Sequence, residues 1–327
     1  MANLFRCSRY RFLLRATTFL HLSAFAGSTL RGGFGHVFKH TVCVWPPGDC
    51  SRCVLKDRCA YPYVFETAPP PDAEKLRGLE QLPRPFVLEP PERGGRQSYR
   101  PGEHLDFGLV LVGRGIRYLP YFLLTFDELG RRGLGANHGR FEVVEVLVEH
   151  PLGVRRVWAP GAAGLVGPDV VLTMAELSRP AALAGESELP RRLAVCFQTP
   201  ARIRSEGRVR TALTFQELVR ALLRRLSSLC YFHCGAELCV DFRGLIEGAS
   251  AFRTVAEDLR WQALDRFSGR QRQRIDMSGV LGRVVFEAPQ VSAWEPYLPL
   301  LAAGEWVHVG KDTVMGLGKY RVEVECG

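Results

Sequence analysis

The feature that most constrains the fold is an order of predicted elements that occurs in both halves of the sequence. Each half begins with a strand, a helix and a further strand, and each ends with strands around a second helix. A chain of 327 residues is long enough for two modest domains, because a single core stops growing well before this length is used up. The repeated order therefore predicts two domains.

In the N-terminal half, the first strand is marked by alternating hydrophobicity. Every second residue from Tyr10 to Ala16 is apolar, which is the period of a half-buried strand and predicts a strand at 9–17. The further predictions in this half are a helix at about 29–42, strands near 86–90 and 104–112, a short helix around 121–130 and a strand within "RFEVVEVLVEHP".

The C-terminal half starts with a strand in "RRLAVCFQTP" and continues with the clearest helix of the chain, in "TFQELVRALLRRLSSLCYFHCG". Thr214 and Glu217 have the spacing of a capping box, and Gly235 marks the end of the helical pattern. The rest of this half is predicted to contain a β-hairpin within 257–287, a helix at about 293–303 and two last strands on either side of a glycine-rich loop.

The order of elements in each half is that of a ferredoxin-like βαββαβ unit. We therefore expect an α+β protein of two tandem ferredoxin-like domains. A loose segment rich in proline and small residues places the boundary between them near 178–192. The predicted domains are residues 1–185, which include a cysteine-rich insertion at 43–66, and residues 190–327.

The charge of the chain points to an anionic partner. Lysine and arginine outnumber the acidic residues by 43 to 34, and most of the excess is arginine, whose planar guanidinium suits contacts with phosphate. Solubility is the alternative explanation, because net charge does not say where the charge lies. An N-terminal apolar stretch imitates a secretion signal, but Arg15 and His21 interrupt it. With no run of about 18 apolar residues, we expect no membrane span and a cytoplasmic protein.

Four cysteines with close spacing suggest a metal site. Their pattern is C-x6-C-x2-C-x5-C, and four thiolates match the tetrahedral coordination of zinc. In a reducing compartment such cysteines are more often metal ligands than disulfides. We expect structural zinc, with an iron–sulfur cluster or free thiols as the alternatives. The predicted ligands are Cys43, Cys50, Cys53 and Cys59.

Near the C-terminus, "VHVGKDTVMGLGKY" combines glycines with two lysines. Glycine has no Cβ and accepts positive φ, so such a loop is able to bring backbone amides close to a phosphate. The loop matches neither the phosphate loop of nucleoside triphosphatases nor the dinucleotide fingerprint, and a glycine-rich hairpin turn is the alternative. The candidate residues are Gly310, Lys311, Gly316, Gly318 and Lys319.

The first predicted helix has a cationic side. At 100° per residue, Leu30, Phe34, Val37 and Phe38 fall on one side of it, and His36 and Lys39 fall on the far side. Arg31 and His40 lie at its flanks. Its three glycines, at 32, 33 and 35, permit either close approach of a ligand's backbone or a tight packing contact with the other domain.

Several of these segments together resemble the RAMP superfamily, and in particular the endoribonucleases that cut precursor CRISPR RNA within its repeats. The C-terminal "WVHVGKDTVMGLGKYRVEVE" is similar to the glycine-rich loop of that family. Five further segments occur in the family's order, and the likeness extends over nearly the whole chain. They are "STLRGGFGHVFKH", "DCSRCVLKDRCAYPYVFE", "QTPARIRSEG", "YFHCG" and "DRFSGRQRQRIDMSGVLG".

The resemblance implies a fold and an activity. Two ferredoxin-like domains are expected to form a basic cleft for CRISPR repeat RNA, with the glycine-rich loop on the RNA backbone. Cleavage is expected to need no metal: a ribose 2′-hydroxyl attacks the adjacent phosphate and leaves a 2′,3′-cyclic phosphate and a 5′-hydroxyl. The sheets lack the stacked aromatics of ordinary RNA-recognition modules, so base reading by sheet aromatics is not expected.

The resemblance also suggests which residues act. The reaction needs a base, an acid and a cation near the phosphorane, and a histidine on the first helix is recurrent in this family. We assign these roles to His36, His40 and Lys39, with ordinary solvent-facing residues as the alternative interpretation. His308 and His233 are further candidates, although His233 is expected to be buried at a helix end. The expected RNA-binding residues are Arg31, Arg266, Arg270, Gly310, Lys311, Gly316, Gly318 and Lys319. The alternative function is a non-catalytic RAMP-type RNA-binding subunit of a CRISPR effector complex, whose other subunits would be further partners. A redox or iron–sulfur protein is the third class.

Overall fold

A computed structural model describes residues 4–44, 50–67, 82–91, 97–166, 170–180, 183, 185–186, 188–268 and 273–325. The chain divides into two compact units. The N-terminal unit contains Cys7–Val171 and Phe232–Gly235, and the C-terminal unit contains Met1–Arg6, Leu172–Tyr231 and Ala236–Gly327. None of the helices in these described ranges is long and apolar enough to cross a membrane.

The N-terminal unit is built on an antiparallel sheet with the strand order β3-β5-β1-β6-β7. The two short strands β2 and β4 pair separately. The elements are β1 Arg6–Ala16, β2 Leu20–His21, α1 Ala26–Val42, β3 Phe86–Glu89, β4 Ser98–Tyr99, β5 His104–Val112, α2 Leu119–Arg132, β6 Phe141–His150 and β7 Gly153–Trp158.

Phenylalanines form the core between the helices and this sheet. Phe126 of α2 packs against Phe107 of β5 with ring centroids 4.5 Å apart, and Phe12 of β1 stacks on the same Phe107 ring at 5.0 Å. Phe34 of α1 stacks on Phe122 of α2 at 4.5 Å. Phe34 faces this core, while His36 and His40 of the same helix are exposed.

The C-terminal unit is built on a second antiparallel sheet with the order β12-β15-β9-β16. Two short hairpins, β10–β11 and β13–β14, extend from it. The elements are β8 Leu172–Thr173, β9 Arg192–Ala201, β10 Arg204–Ser205, β11 Arg208–Val209, α3 Phe215–Leu229, α4 Phe242–Ala249, β12 Arg253–Gln262, β13 Asp265–Ser268, β14 Gln273–Asp276, β15 Gly279–Glu287, α5 Leu298–Val307 and β16 Tyr320–Val324. The α+β class is thus confirmed.

Helix α3 begins as the sequence predicts. The Glu217 amide donates to the Thr214 hydroxyl at 3.3 Å, and the Thr214 amide donates to the Glu217 carboxylate at 3.0 Å, which closes the capping box. The helix ends at Leu229, earlier than the predicted stop, and Cys230–Cys234 form a π-helical turn instead.

The prediction of a strand directly before the glycine-rich loop is wrong. Residues 305–307 belong to α5, which runs from Leu298 to Val307 and not from 293 to 303. The alternation in "WVHV" imitates a strand because α5 is buried on nearly every side and has no polar face to reveal the helical period. Gly304 has no room for a side chain, since a Cβ there would overlap the Tyr320 hydroxyl of β16.

The tetrapeptide Phe232–Gly235 packs inside the N-terminal unit. His233 is fully buried, and its Nε2 lies 2.7 Å from the Pro83 carbonyl oxygen. A carbonyl only accepts, so Nε2 carries the hydrogen and Nδ1 accepts from the Tyr63 hydroxyl at 3.2 Å. Burial raises the pKa of Tyr63 well above its usual value, which keeps that hydroxyl a donor.

Candidate nucleic-acid interface

The solvent-facing side of α1 carries the imidazoles predicted to act in catalysis. Leu30, Phe34, Val37 and Phe38 are buried on the core side, while His36 and His40 are exposed. The two rings meet edge to face with centroids 4.9 Å apart. Two imidazoles one helical turn apart are thus within reach of a single group on a ligand.

The cations of the same helix lie over aromatic rings. Lys39 and Arg31 are half-buried, with the Lys39 Nζ 5.4 Å from the centroid of Tyr61 and the Arg31 guanidinium carbon 4.5 Å from the centroid of Phe65. Both distances are within the range of cation–π interactions. Arg84, which the sequence did not single out, lies 6.0 Å from the same Phe65 ring.

Packing within the N-terminal unit accounts for two of the three glycines of α1. A Cβ at Gly35 would overlap the Phe65 ring, and one at Gly33 would lie 2.8 Å from a methyl carbon of Leu134. Nothing stands within 4 Å of a Cβ at Gly32. Tight packing therefore explains Gly33 and Gly35, but the contacts are within the N-terminal unit and not with the other domain, as the sequence had suggested.

The four cysteines of the insertion lie at and beyond the end of α1. All four are half-buried, and Cys43 follows the last helical residue, its amide donating to the Lys39 carbonyl at 3.0 Å. Burial raises the pKa of the Cys50 thiol, and Lys39 opposes this shift. Among the described residues, no three His, Cys, Asp or Glu side chains are grouped so as to hold a metal ion. Structural zinc at these four cysteines stays a prediction.

The glycine-rich loop connects α5 to β16 and is mostly buried. Gly310, Gly316 and Gly318 all have positive φ, at 93°, 88° and 69°. A Cβ at Gly318 would overlap the carbonyl oxygen of Val309, and one at Gly310 would lie 2.7 Å from that of Arg202. The glycines are therefore required by the fold of the loop itself.

The backbone amides of this loop donate inside the C-terminal unit. The Gly318 amide donates to the Pro200 carbonyl at 2.9 Å, the Lys311 amide to the Arg202 carbonyl at 3.1 Å, and the Lys319 amide to the Thr199 hydroxyl at 2.9 Å. These bonds fasten the loop to the end of β9. The Lys311 side chain is exposed and that of Lys319 is half-buried, so side chains are what the loop offers to a ligand.

Further arginines lie around the end of β9. Arg204 and Arg208 are exposed on the β10–β11 hairpin that directly follows it. Neither was selected from the sequence, where the signal was the four arginines of "ARIRSEGRVR", at positions 202, 204, 208 and 210. Arg266 is half-buried on β13, and Arg270 lies outside the described residues. The site residues thus form two sets, one on α1 and one around the glycine-rich loop.

The comparisons with known proteins agree with these features. Residues 5–169 match the family model AF_1859_N, described as an N-terminal domain, and residues 195–320 match the model of the CRISPR-associated endoribonuclease Cas6. An uncharacterized protein of Archaeoglobus fulgidus is 26% identical over 305 residues, which cover 92% of this chain and 93% of that protein.

Solved structures of Cas6 share the fold. A Cas6 product complex has a TM-score of 0.56 at 18% identity, with 97% of this chain and 99% of that chain covered. Thermus thermophilus Cas6 gives 0.54 at 15% identity, covering 98% and 99%. A Cas6-RT-Cas1–Cas2 complex gives 0.61 at 16% identity, covering 98% of this chain and 29% of that chain.

The two family models together span both halves of the chain, and the first alone covers half of it. The exposed histidines of α1 and the exposed cations around the end of β9 suit an RNA ligand. The chain belongs to the AF_1859_N family, and its residues 195–320 match the domain of the CRISPR-associated endoribonuclease Cas6.

Proposed function

We propose that the protein cleaves precursor CRISPR RNA within its repeat, without a metal ion, by attack of a ribose 2′-hydroxyl on the adjacent phosphate. The observation that carries this proposal is the His36–His40 pair, exposed next to Lys39 on α1. We also propose that each unit is a ferredoxin-like domain, since helices α1 and α2, and α3 and α5, each connect strands of one antiparallel sheet in the order 4-1-3-2 of the βαββαβ unit.

The steps of the proposed reaction need two proton transfers. One imidazole takes the proton of the 2′-hydroxyl, and the 2′-oxygen forms a bond to phosphorus. The bond from phosphorus to the 5′-oxygen then breaks, and a protonated imidazole gives that oxygen a proton. Imidazole exchanges protons near neutral pH, which suits both roles. Lys39 supplies positive charge to the phosphorane, whose charge exceeds that of the ground state.

The RNA is proposed to be held by side chains, with the buried glycine-rich loop as their support. Lys311, Arg204 and Arg208 are exposed around the end of β9, and Arg266 lies on the hairpin β13–β14. Because the Lys311, Gly318 and Lys319 amides donate within the unit, we assign phosphate contact to these side chains. Repeat RNA is the proposed substrate, and other CRISPR proteins are proposed partners, as one similar solved structure is a Cas6-RT-Cas1–Cas2 complex.

The test is cleavage of repeat RNA in the presence of EDTA, with both new ends mapped. We expect a 2′,3′-cyclic phosphate on one product and a 5′-hydroxyl on the other. Deoxyribose at the single nucleotide 5′ of the cut should block the reaction because the attacking oxygen is absent. Dependence on added metal would contradict the mechanism. Tight binding of repeat RNA with no cleavage under any condition would favour the non-catalytic subunit instead.

A further inference from the structure

Two stacked aromatic rings lie under the cationic side of α1. The rings of Tyr61 and Phe65, which we call the aromatic pair, are stacked with centroids 5.5 Å apart and an interplanar angle of 23°. Each ring faces one cation of the helix, Tyr61 facing Lys39 and Phe65 facing Arg31. One short segment of the insertion therefore contacts both half-buried cations of the proposed catalytic helix.

The aromatic pair is fixed against α1. Pro62–Glu66 form a π-helical turn, and the Phe65 carbonyl accepts a hydrogen bond from Arg84 Nε at 2.6 Å. Tyr61 is 7% exposed and lies 6.0 Å from the Phe38 ring of α1. The Phe65 ring occupies the space that a Cβ at Gly35 would need. The missing side chain of Gly35 thus leaves room for the Phe65 ring against the helix. Stacking on Phe65 then holds the Tyr61 ring in place.

A rigid ring beneath a lysine changes how that lysine meets a ligand. A free lysine side chain samples many rotamers and loses them when it binds phosphate. A ring whose face attracts the ammonium restricts that sampling before the RNA arrives. Arg31 and Lys39 are eight residues apart on the helix, which separates them by about 12 Å along its axis.

We propose that Tyr61 and Phe65 are positioning residues for RNA cleavage: Tyr61 holds Lys39 at the phosphate that is cut, and Phe65 holds Arg31 at a phosphate farther along the strand. This inference rests on the proposed function of α1. It assigns to the cysteine-rich insertion the task of orienting the cations of the helix on which it packs.

Paired substitutions at Tyr61 test this role. Tyr61→Phe keeps the ring and should cleave within about two-fold of the wild-type rate, whereas Tyr61→Leu should lower the single-turnover rate by about ten-fold, with RNA affinity nearly unchanged. In a Lys39→Ala background, Tyr61→Leu should have no further effect on the rate. A full additional loss in that background would mean that Tyr61 acts only on stability, and it would overturn the proposal.

A second measurement does not depend on activity. The chain has five lysines, so ¹³C-methylation of their amines gives a small set of NMR signals, and Lys39→Arg identifies the one from Lys39. We expect a ring-current shift of that signal in the wild type and in Tyr61→Phe, and its loss in Tyr61→Leu. If Tyr61→Leu does not fold, Tyr61→Met removes the ring with a side chain that adapts to core gaps.

The outcomes separate this inference from the function on which it rests. No ring-current shift in the wild type would overturn the positioning role, whatever the activity. A shift that Tyr61→Leu removes without lowering the cleavage rate would do the same. Wild-type cleavage by Lys39→Ala, with the shift present in the unsubstituted protein, would instead remove Lys39 from the proposed mechanism.

Discussion

The imidazole rings of His36 and His40 meet edge to face on the exposed side of α1, with their centroids 4.9 Å apart. We expect His36→Ala to lower the single-turnover cleavage rate by about 10²–10⁴-fold and to leave RNA affinity nearly intact, because an imidazole that transfers a proton acts only in the transition state. His36 is the first choice, since His40 is close to Cys43 and could support the insertion. Rapid quench and filter binding measure the two quantities.

The exposed imidazole of His104, at the start of β5, provides the matched control, and His104→Ala should cleave like the wild type. Should His36→Ala and His40→Ala both retain the wild-type rate, α1 is not the catalytic element.

Lys311 is predicted to contact the RNA backbone through its exposed side chain. Lys311→Ala should weaken binding and reduce the slope of log Kd against log salt by up to about one unit, because one phosphate contact and its counterion release are lost. Titrations at several salt concentrations measure the slope. Lys56→Ala, at another exposed lysine, on the insertion, serves as the control. An unchanged slope in the folded Lys311 variant would mean that Lys311 makes no phosphate contact and that the loop has only a structural role.

Gly318 is predicted to be a requirement of folding before it is one of binding. Its φ is 69°, and a Cβ would overlap the Val309 carbonyl oxygen, so Gly318→Val should lower the free energy of unfolding by about 3 kcal/mol or more. Gly207→Ala isolates the backbone strain, since Gly207 has a φ of 77° and nothing within 4 Å of its Cβ position. It should cost about 1–2 kcal/mol. Equal losses for both variants in denaturant unfolding would refute the steric explanation.

The cysteine insertion is predicted to bind about one zinc ion per chain, with four thiolate ligands. Cys50→Ser or Cys53→Ser should then reduce the yield of folded protein before any effect on chemistry, while Cys239→Ser, at an exposed cysteine of the other unit, should not. Elemental analysis of freshly purified protein measures the metal content. Protein without metal, in which all four cysteines are rapidly alkylated in the native state, would rule out the site.

Local chemistry made parts of this fold predictable. The capping box of Thr214 and Glu217 uses residues three apart, and its hydrogen bonds form as their spacing indicates. The apolar side of α1 follows in the same way from the helical period, which also separates His36 from Leu30. Features that depend on residues close in sequence, such as a helix cap or the apolar side of a helix, were therefore predictable.

Contacts between residues far apart in sequence were not predictable from local sequence patterns. Residue 35 must be glycine because the ring of Phe65, thirty residues later, occupies the space of a Cβ. No local sequence signal distinguishes a glycine required for packing from one required for RNA approach. Three amides of the glycine-rich loop donate to the carbonyls of Pro200 and Arg202 and to the hydroxyl of Thr199, more than a hundred residues earlier. Helix α5 was misjudged for the related reason that its burial on nearly every side erases the period by which a helix is recognised.

The burial of His233 in the N-terminal unit has a consequence for building chimeras from this chain and its relatives. The His233 imidazole hydrogen-bonds to both Tyr63 and Pro83. A single crossover after residue 171 would take these two residues from one protein and Phe232–Gly235 from another. The exchangeable module is therefore discontinuous. A graft that carries Phe232–Gly235 together with Cys7–Val171 keeps the tyrosine, the imidazole and the carbonyl matched, and it transfers the histidines of α1 on the scaffold that evolved with them.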